Sequence, residues 1–139
     1  MTVSTARRFG LLVSLLGISL LLVSFLSEWF VFAGRSADMW SAFGFVDVVV
    51  AISALVAIAV GPAARFGESR GLGVAVATVS ANLAFVATLL LCWRVIDPPG
   101  QDAVREVGIW LGLGLQAAIL VVSLAAMGGG TPPRLSSAR

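Results

Sequence analysis

Nineteen consecutive residues, Phe9 to Ser27, carry no charge. A helix needs about 20 apolar residues to cross the hydrocarbon core of a bilayer. Lipid cannot hydrogen-bond to the backbone there, so only helices and closed barrels can span it. Three more such segments follow. Ser41 to Gly61 is interrupted only by Asp47, while Gly71 to Trp93 and Val107 to Gly128 are uncharged. Breakers fall between them: Gly61-Pro62, Pro98-Pro99-Gly100, and Gly128-Gly129-Gly130 followed by Pro132-Pro133. Proline lacks a backbone donor and clashes with the preceding turn, so a stop is predicted at each. The fold class expected is an all-α integral membrane bundle of four transmembrane helices. The spans lie near 9–27, 41–61, 71–93 and 107–128. They make one domain over 1–130, with 131–139 as a disordered tail. The short connections predict antiparallel neighbours. No alternating pattern points to strands. The first run exceeds the core of about 7–15 residues usual in a secretory signal, so it reads as an anchor despite Val31-x-Ala33.

Arginine marks the cytoplasmic side of a membrane protein. Arg7, Arg8, Arg65, Arg70, Arg134 and Arg139 fall on one side of the four spans, and Arg35, Arg94 and Arg105 on the other. Both termini are therefore expected in the cytoplasm. Trp29, Trp40, Trp93 and Trp110 all belong to the opposite, outer end. They read as an interfacial belt, with an aromatic rim around a ligand entry as the alternative.

Composition limits the chemistry. The chain has no His, Lys or Tyr and a single cysteine, Cys92. That removes histidine proton shuttles, His-ligated haem or catalytic zinc, Ser–His–Asp triads, Schiff bases and paired-thiol oxidation. No catalytic residue, cofactor or metal site is expected. The nine basic residues, all Arg, are spread thinly, which speaks for topology and against nucleic acid. Arginine without lysine, among much Ala, Gly and Val, fits a GC-rich bacterial genome.

Small and polar residues identify contact faces in membrane helices. The predicted faces are Gly10, Ser14, Gly17, Ser24 and Glu28 in span one, and Asp47, Ala51, Ala54 and Gly61 in span two. Span three offers Gly71, Ala75, Thr78 and Asn82, and span four Gly108, Gly112 and Gln116, with Ser123 close by. Gly108-x-x-x-Gly112 is a candidate helix-packing and dimer seam. Asn82 and Gln116 both fall near the midplane at 1.5 Å per residue and are expected to face each other or a shared water. Asp47 lies ~9 Å inside Ser41 on the same rise, an intramembrane acid that Arg94 could pair with. Asp97 and Glu28 compete for that Arg. Asp47, Arg94, Asn82 and Gln116 form the candidate polar cluster. Asp102 and Glu106 are expected to serve the N-terminus of span four, with Arg105 as their surface partner.

The stretch Trp93-Arg94-Val95-Ile96-Asp97-Pro98-Pro99-Gly100, with Trp40 before a span that carries Asp47 early, resembles a group of small actinobacterial four-span membrane proteins of unknown function. The resemblance implies the four-span layout and no activity. Small multidrug transporters differ, since they depend on an acid deep in the first span, where this chain has none before Glu28.

The expected function is a non-enzymatic structural or accessory subunit in the bacterial cytoplasmic membrane. Its partners would be the bilayer and either a homo-oligomer or another membrane protein. The alternative is a small oligomeric channel or transporter with Asp47 and Arg94 in a polar pathway. A third reading is an enzyme acting on lipid headgroups through Asp47 and Glu28.

Overall fold

The computed structural model describes residues 3–42, 44–66, 70–98, 100 and 102–127. In chain order it contains α1 (Val3–Leu26), β1 (Phe30–Phe32), β2 (Arg35–Ala37), α2 (Met39–Ala42), α3 (Phe45–Phe66), α4 (Arg70–Ile96), β3 (Val104–Arg105) and α5 (Val107–Met127). Among the described residues, four helices are long and apolar enough to cross a membrane: Ser4–Leu26, Phe45–Phe66, Gly71–Ile96 and Val107–Met127. The shortest has 21 residues. It is ~32 Å long at the α-helical rise and matches a hydrocarbon core of about 30 Å. The all-α four-helix bundle is thus the architecture. The expected tail, 131–139, lies outside the described residues.

α1 rests against α3 and α5, and α4 rests against the same two, so the four long helices close a ring. The α1–α3 contact is lined by small residues. A Cβ added to Gly17 would stand 2.7 Å from the Ala54 carbonyl oxygen. Backbones approach this closely only where one helix carries no side chain. The stripe Gly10, Ser14, Gly17 expected for span one does face α3.

Three boundaries or faces differ from the sequence reading. α3 begins at Phe45, because the chain turns at Gly44 with φ of 61° and Met39–Ala42 forms a separate helical turn. α3 then continues through Pro62 to Phe66, where a stop is predicted. Pro62 has no N–H to give the Ile58 carbonyl. Ser14 Oγ from α1 donates to that carbonyl at 2.7 Å, and Gly61 N donates to Ser14 Oγ at 2.9 Å. A hydroxyl from the neighbouring helix satisfies what the proline frees, so the helix persists. The third difference is the face of α4. Gly71, Ala75 and Asn82 are exposed, and the inward stripe is Ala77, Ser80, Ala84, Ala87 and Leu91. Both faces carry small residues at helical spacing, and an amide on one of them outweighed the alanines on the other.

A three-stranded antiparallel sheet, order β2-β1-β3, was not expected. Phe30 aligns with Ala37 on one side and with Arg105 on the other. Strands of two or three residues are too short to show a period. Ala33 and Gly34 join β1 to β2 with φ of 47° and 78°. Two positive φ values are the type I′ geometry that suits the twist of a two-residue hairpin. β1 follows α1 and β3 precedes α5, so the sheet brings these two connections together. It thereby caps one end of the bundle.

Candidate functional site

Trp29 precedes β1 and is fully buried. Its N–H donates to the Ala37 carbonyl at 2.9 Å, and its own carbonyl accepts from Glu106 N at 3.0 Å. The indole Nε1 donates to the Val23 carbonyl at 3.1 Å. The ring lies on α5. A Cβ on Gly108 would stand 2.9 Å from the indole nitrogen, and one on Gly112 would stand 2.8 Å from Cζ2. The expected seam Gly108-x-x-x-Gly112 is therefore a socket for an aromatic ring of the same chain, already filled from within. Trp29 also leaves the expected aromatic belt. Trp40, Trp93 and Trp110 remain 38%, 48% and 53% exposed. Trp40 stacks on Phe25 with ring centroids 5.2 Å apart.

Asp47 sits just below this cap. It is 2% exposed and lies in the first turn of α3, its N–H donating to the Gly44 carbonyl at 3.2 Å. Counted from Phe45 it is ~3 Å along the helix axis, and the ~9 Å expected from a start at Ser41 is corrected. The residue is an acid at a helix N-terminus, where the peptide dipoles favour a carboxylate. It is not a mid-membrane charge. Arg94 occupies the last turn of α4, is half-buried, and holds its guanidinium carbon 4.9 Å from the Trp93 ring centroid. Adjacent antiparallel helices thus bring Asp47 and Arg94 to the same capped end.

Gln116 is fully buried, and its Nε2 donates to Ser53 Oγ at 2.6 Å. This bond crosses the ring from α5 to α3. Gln116 Oε1 is buried with no hydrogen-bond partner among the described residues. Ser80 Oγ and Ser123 Oγ lie 3.0 Å apart between α4 and α5. Asn82 belongs to none of this. It is exposed, and its Nδ2 donates back to the Thr78 carbonyl at 2.8 Å. The expected meeting of Asn82 with Gln116 is corrected: a serine takes the place of the second amide. Ser53 and Ser80 were missed as partners. The signal for Ser53 was its place on the stripe Asp47, Val50, Ser53, Ala57, Val60.

The acids and Arg105 also find different partners. Gly108 N, in the first turn of α5, donates to the Glu28 carbonyl at 2.9 Å. A backbone oxygen from α1's exit thus serves a group expected to rely on Asp102 and Glu106. Arg105 Nε donates to the Val95 carbonyl and Nη2 to the Ile96 carbonyl at 3.4 Å. It covers the last carbonyls of α4, a favourable place for a cation.

Besides Ser14 and Ser24 on α1, the buried polar side chains fall in three layers: Asp47, then Ser53 with Gln116, then Ser80 with Ser123. Asp47 and Ser53 are ~9 Å apart along α3, and Gln116 and Ser123 ~10 Å along α5. A hydrogen bond reaches about 3 Å, so these side chains alone do not connect one layer to the next. The Ser53–Gln116 bond ties α3 to α5, the Ser80–Ser123 bond ties α4 to α5, and Ser14 ties α1 to α3. Among the described residues, no group of three His, Cys, Asp or Glu could hold a metal ion. No protein-family model, curated protein or solved structure matches the chain.

Proposed function

We propose that this chain is a non-enzymatic structural or accessory subunit of a bacterial cytoplasmic membrane, acting through helix packing, with both termini inside. The observation that carries the reading is the filled interior, with Trp29 fully buried between α1 and α5 on Gly108 and Gly112. That ring fills the seam between α1 and α5 at the end where the sheet lies. The interior is packed with apolar side chains, with Leu20, Leu91, Ile109 and Ile119 fully buried among Ala54, Ala57, Ala84 and Ala87. Glu28 is exposed while Asp47 is enclosed, which speaks against a pair of free carboxylates in an open cleft. Arg7, Arg8 and Arg65 lie at the uncapped end and support its cytoplasmic placement. The Arg94-x-x-Asp97-Pro98 end of α4, with Trp40 and Asp47, supports membership among the small actinobacterial four-span proteins.

In this reading Asp47 and Arg94 form a pair that sets the register of α3 against α4. The transport alternative has its own support in the buried Asp47 and the unsatisfied Gln116 Oε1. One experiment separates them. The wild type, Asp47→Asn, Arg94→Met and the double variant are reconstituted in liposomes and also unfolded in mild detergent. The packing role expects no proton or cation flux above empty liposomes and a coupling of about 1 kcal/mol or more between the two sites. Wild-type flux that vanishes in a well-folded Asp47→Asn variant would establish the transporter instead. Simple additivity of the two substitutions would remove the pair.

A further inference from the structure

Asn82 is the residue the bundle leaves unexplained. It lies 12 residues from the start of α4 and 14 from its end. At the helical rise that is ~18 Å and ~21 Å, the middle of the hydrocarbon. There it is exposed, on a face with Val79, Phe85, Val86 and Leu89, each about half-exposed. One amide N–H is used on the Thr78 carbonyl. The second N–H and the carbonyl oxygen project from the surface of a helix surrounded by apolar side chains. Lipid tails can satisfy neither, and polar residues at that depth ordinarily meet another helix. The same face narrows toward the uncapped end, where Gly71 and Ala75 are exposed, so a second helix can come close.

We propose that this face of α4 is a homodimer interface in which Asn82 of each copy hydrogen-bonds Asn82 of the other. The occupant follows from symmetry. Two copies inserted in the same orientation are related by a two-fold axis along the membrane normal, which places every residue at the same depth as its mate. A midplane amide then meets a midplane amide, and an amide is its own complement because it carries both donor and acceptor. An unrelated partner would need its own polar residue at that depth. The seam Gly108-x-x-x-Gly112 on α5 is filled by Trp29 and is not available to a partner, and α4 is the helix with an exposed amide at mid-depth. The inference deepens the packing reading by naming the partner. Liposome flux and dimer formation are separate measurements, so either can fail alone.

The test starts from Cys92→Ser, which removes the native thiol. Single cysteines at Ala75, Val79, Asn82 and Val86 are compared with cysteines at Leu55 on α3 and Leu111 on α5, all in oxidised nanodiscs. Disulfide-linked dimers are expected only from the α4 positions. Native mass spectrometry of the otherwise wild-type chain should show a dimer. Asn82→Leu should weaken it roughly tenfold, the size of effect typical for an interhelical amide bond. Asn82→Gln should restore most of it. Because Asn82 is exposed within the monomer, Asn82→Leu should leave thermal unfolding unchanged at a detergent dilution where both chains are monomeric. The proposal fails if the wild type is monomeric at every loading. It fails if crosslinks form from Leu55 or Leu111 as readily as from α4, or if Asn82→Leu dimerises as well as the wild type. Capture of a different protein at the α4 cysteines would also overturn it.

Discussion

Two seams hold α1 to the rest of the bundle, and they use glycine in opposite ways. Toward α3, Gly10 and Gly17 of α1 and Gly61 of α3 let two backbones pass close, with Gly17 facing the Ala54 carbonyl. Toward α5, the glycines sit on the partner helix and make room for a large side chain, the Trp29 ring. The first seam is backbone against backbone, and the second is a socket with a plug. A small-x-x-x-small pattern in sequence does not distinguish them. What decides is whether the chain delivers an aromatic to that face. Here it does, because Trp29 follows α1 directly and is held by bonds to Ala37, Glu106 and Val23.

The largest effect should come from removing the plug. Trp29→Ala empties the socket and leaves a cavity under the cap, at a cost of about 3–5 kcal/mol in detergent unfolding. Gly112→Ala crowds the same ring and should cost about 1–3 kcal/mol. In the Trp29→Ala background that second cost should disappear, since nothing remains to be crowded. Gly17→Ala offers the contrast. Its obstacle is the Ala54 backbone, so its cost should add to that of Trp29→Ala within about 0.5 kcal/mol. If Gly112→Ala also adds without coupling, the socket description is wrong and both seams are alike.

A smaller effect sharpens the α1–α3 seam. Ser14→Ala withdraws the hydroxyl that serves the Ile58 carbonyl and the Gly61 N–H. The expected loss is about 1 kcal/mol, typical of an interhelical hydrogen bond. Pro62→Ala restores an N–H for Ile58 within α3. In that background Ser14→Ala should cost little, because the helix then satisfies itself. An equal cost with and without Pro62 would show that Ser14 acts by packing alone. Unfolding monitored by circular dichroism in one detergent suffices for all four chains.

The sequence made the long-range plan legible because the bilayer imposes it: uncharged runs of the right length cannot be much besides spanning helices. It also placed Gly10, Ser14 and Gly17 on a contact face and brought Asp47 and Arg94 to one end. The details it missed share a cause, which is competition between local signals that only packing resolves. Pro62 reads as a stop until Ser14 is seen across the seam. α4 offers two small-residue faces, and the alanine face wins because Ala77, Ala84 and Ala87 admit close neighbours. Ser41 reads as the start of a span because Gly44, the true break, is a residue common inside such spans. Trp29 reads as part of a belt because the other three tryptophans fall at the same end, and those three stay exposed. The strands β1, β2 and β3 are too short to announce themselves.

The turn supplies the smallest prediction and separates the cap from the socket. Ala33 holds a φ of 47°, a left-handed conformation in which a Cβ crowds the following carbonyl. Type I′ turns favour Asn-Gly, because Asn tolerates this region through its short polar side chain and Gly has no Cβ. Ala33→Asn completes that pair with Gly34. Since Ala33 is exposed, the new side chain disturbs nothing else. The hairpin should gain about 0.5–1 kcal/mol, the scale on which a left-handed residue is relieved. Hydrogen exchange at the β1–β2 amides should slow accordingly, by roughly two- to fivefold for that energy. If Trp29 is held mainly by the sheet, Gly112→Ala should lose part of its cost or gain it when Ala33→Asn is added. If the ring is held mainly by α5, the two substitutions should be independent. Independence is expected, because the indole contacts α5 through Gly108 and Gly112 while the turn lies at the far end of the hairpin.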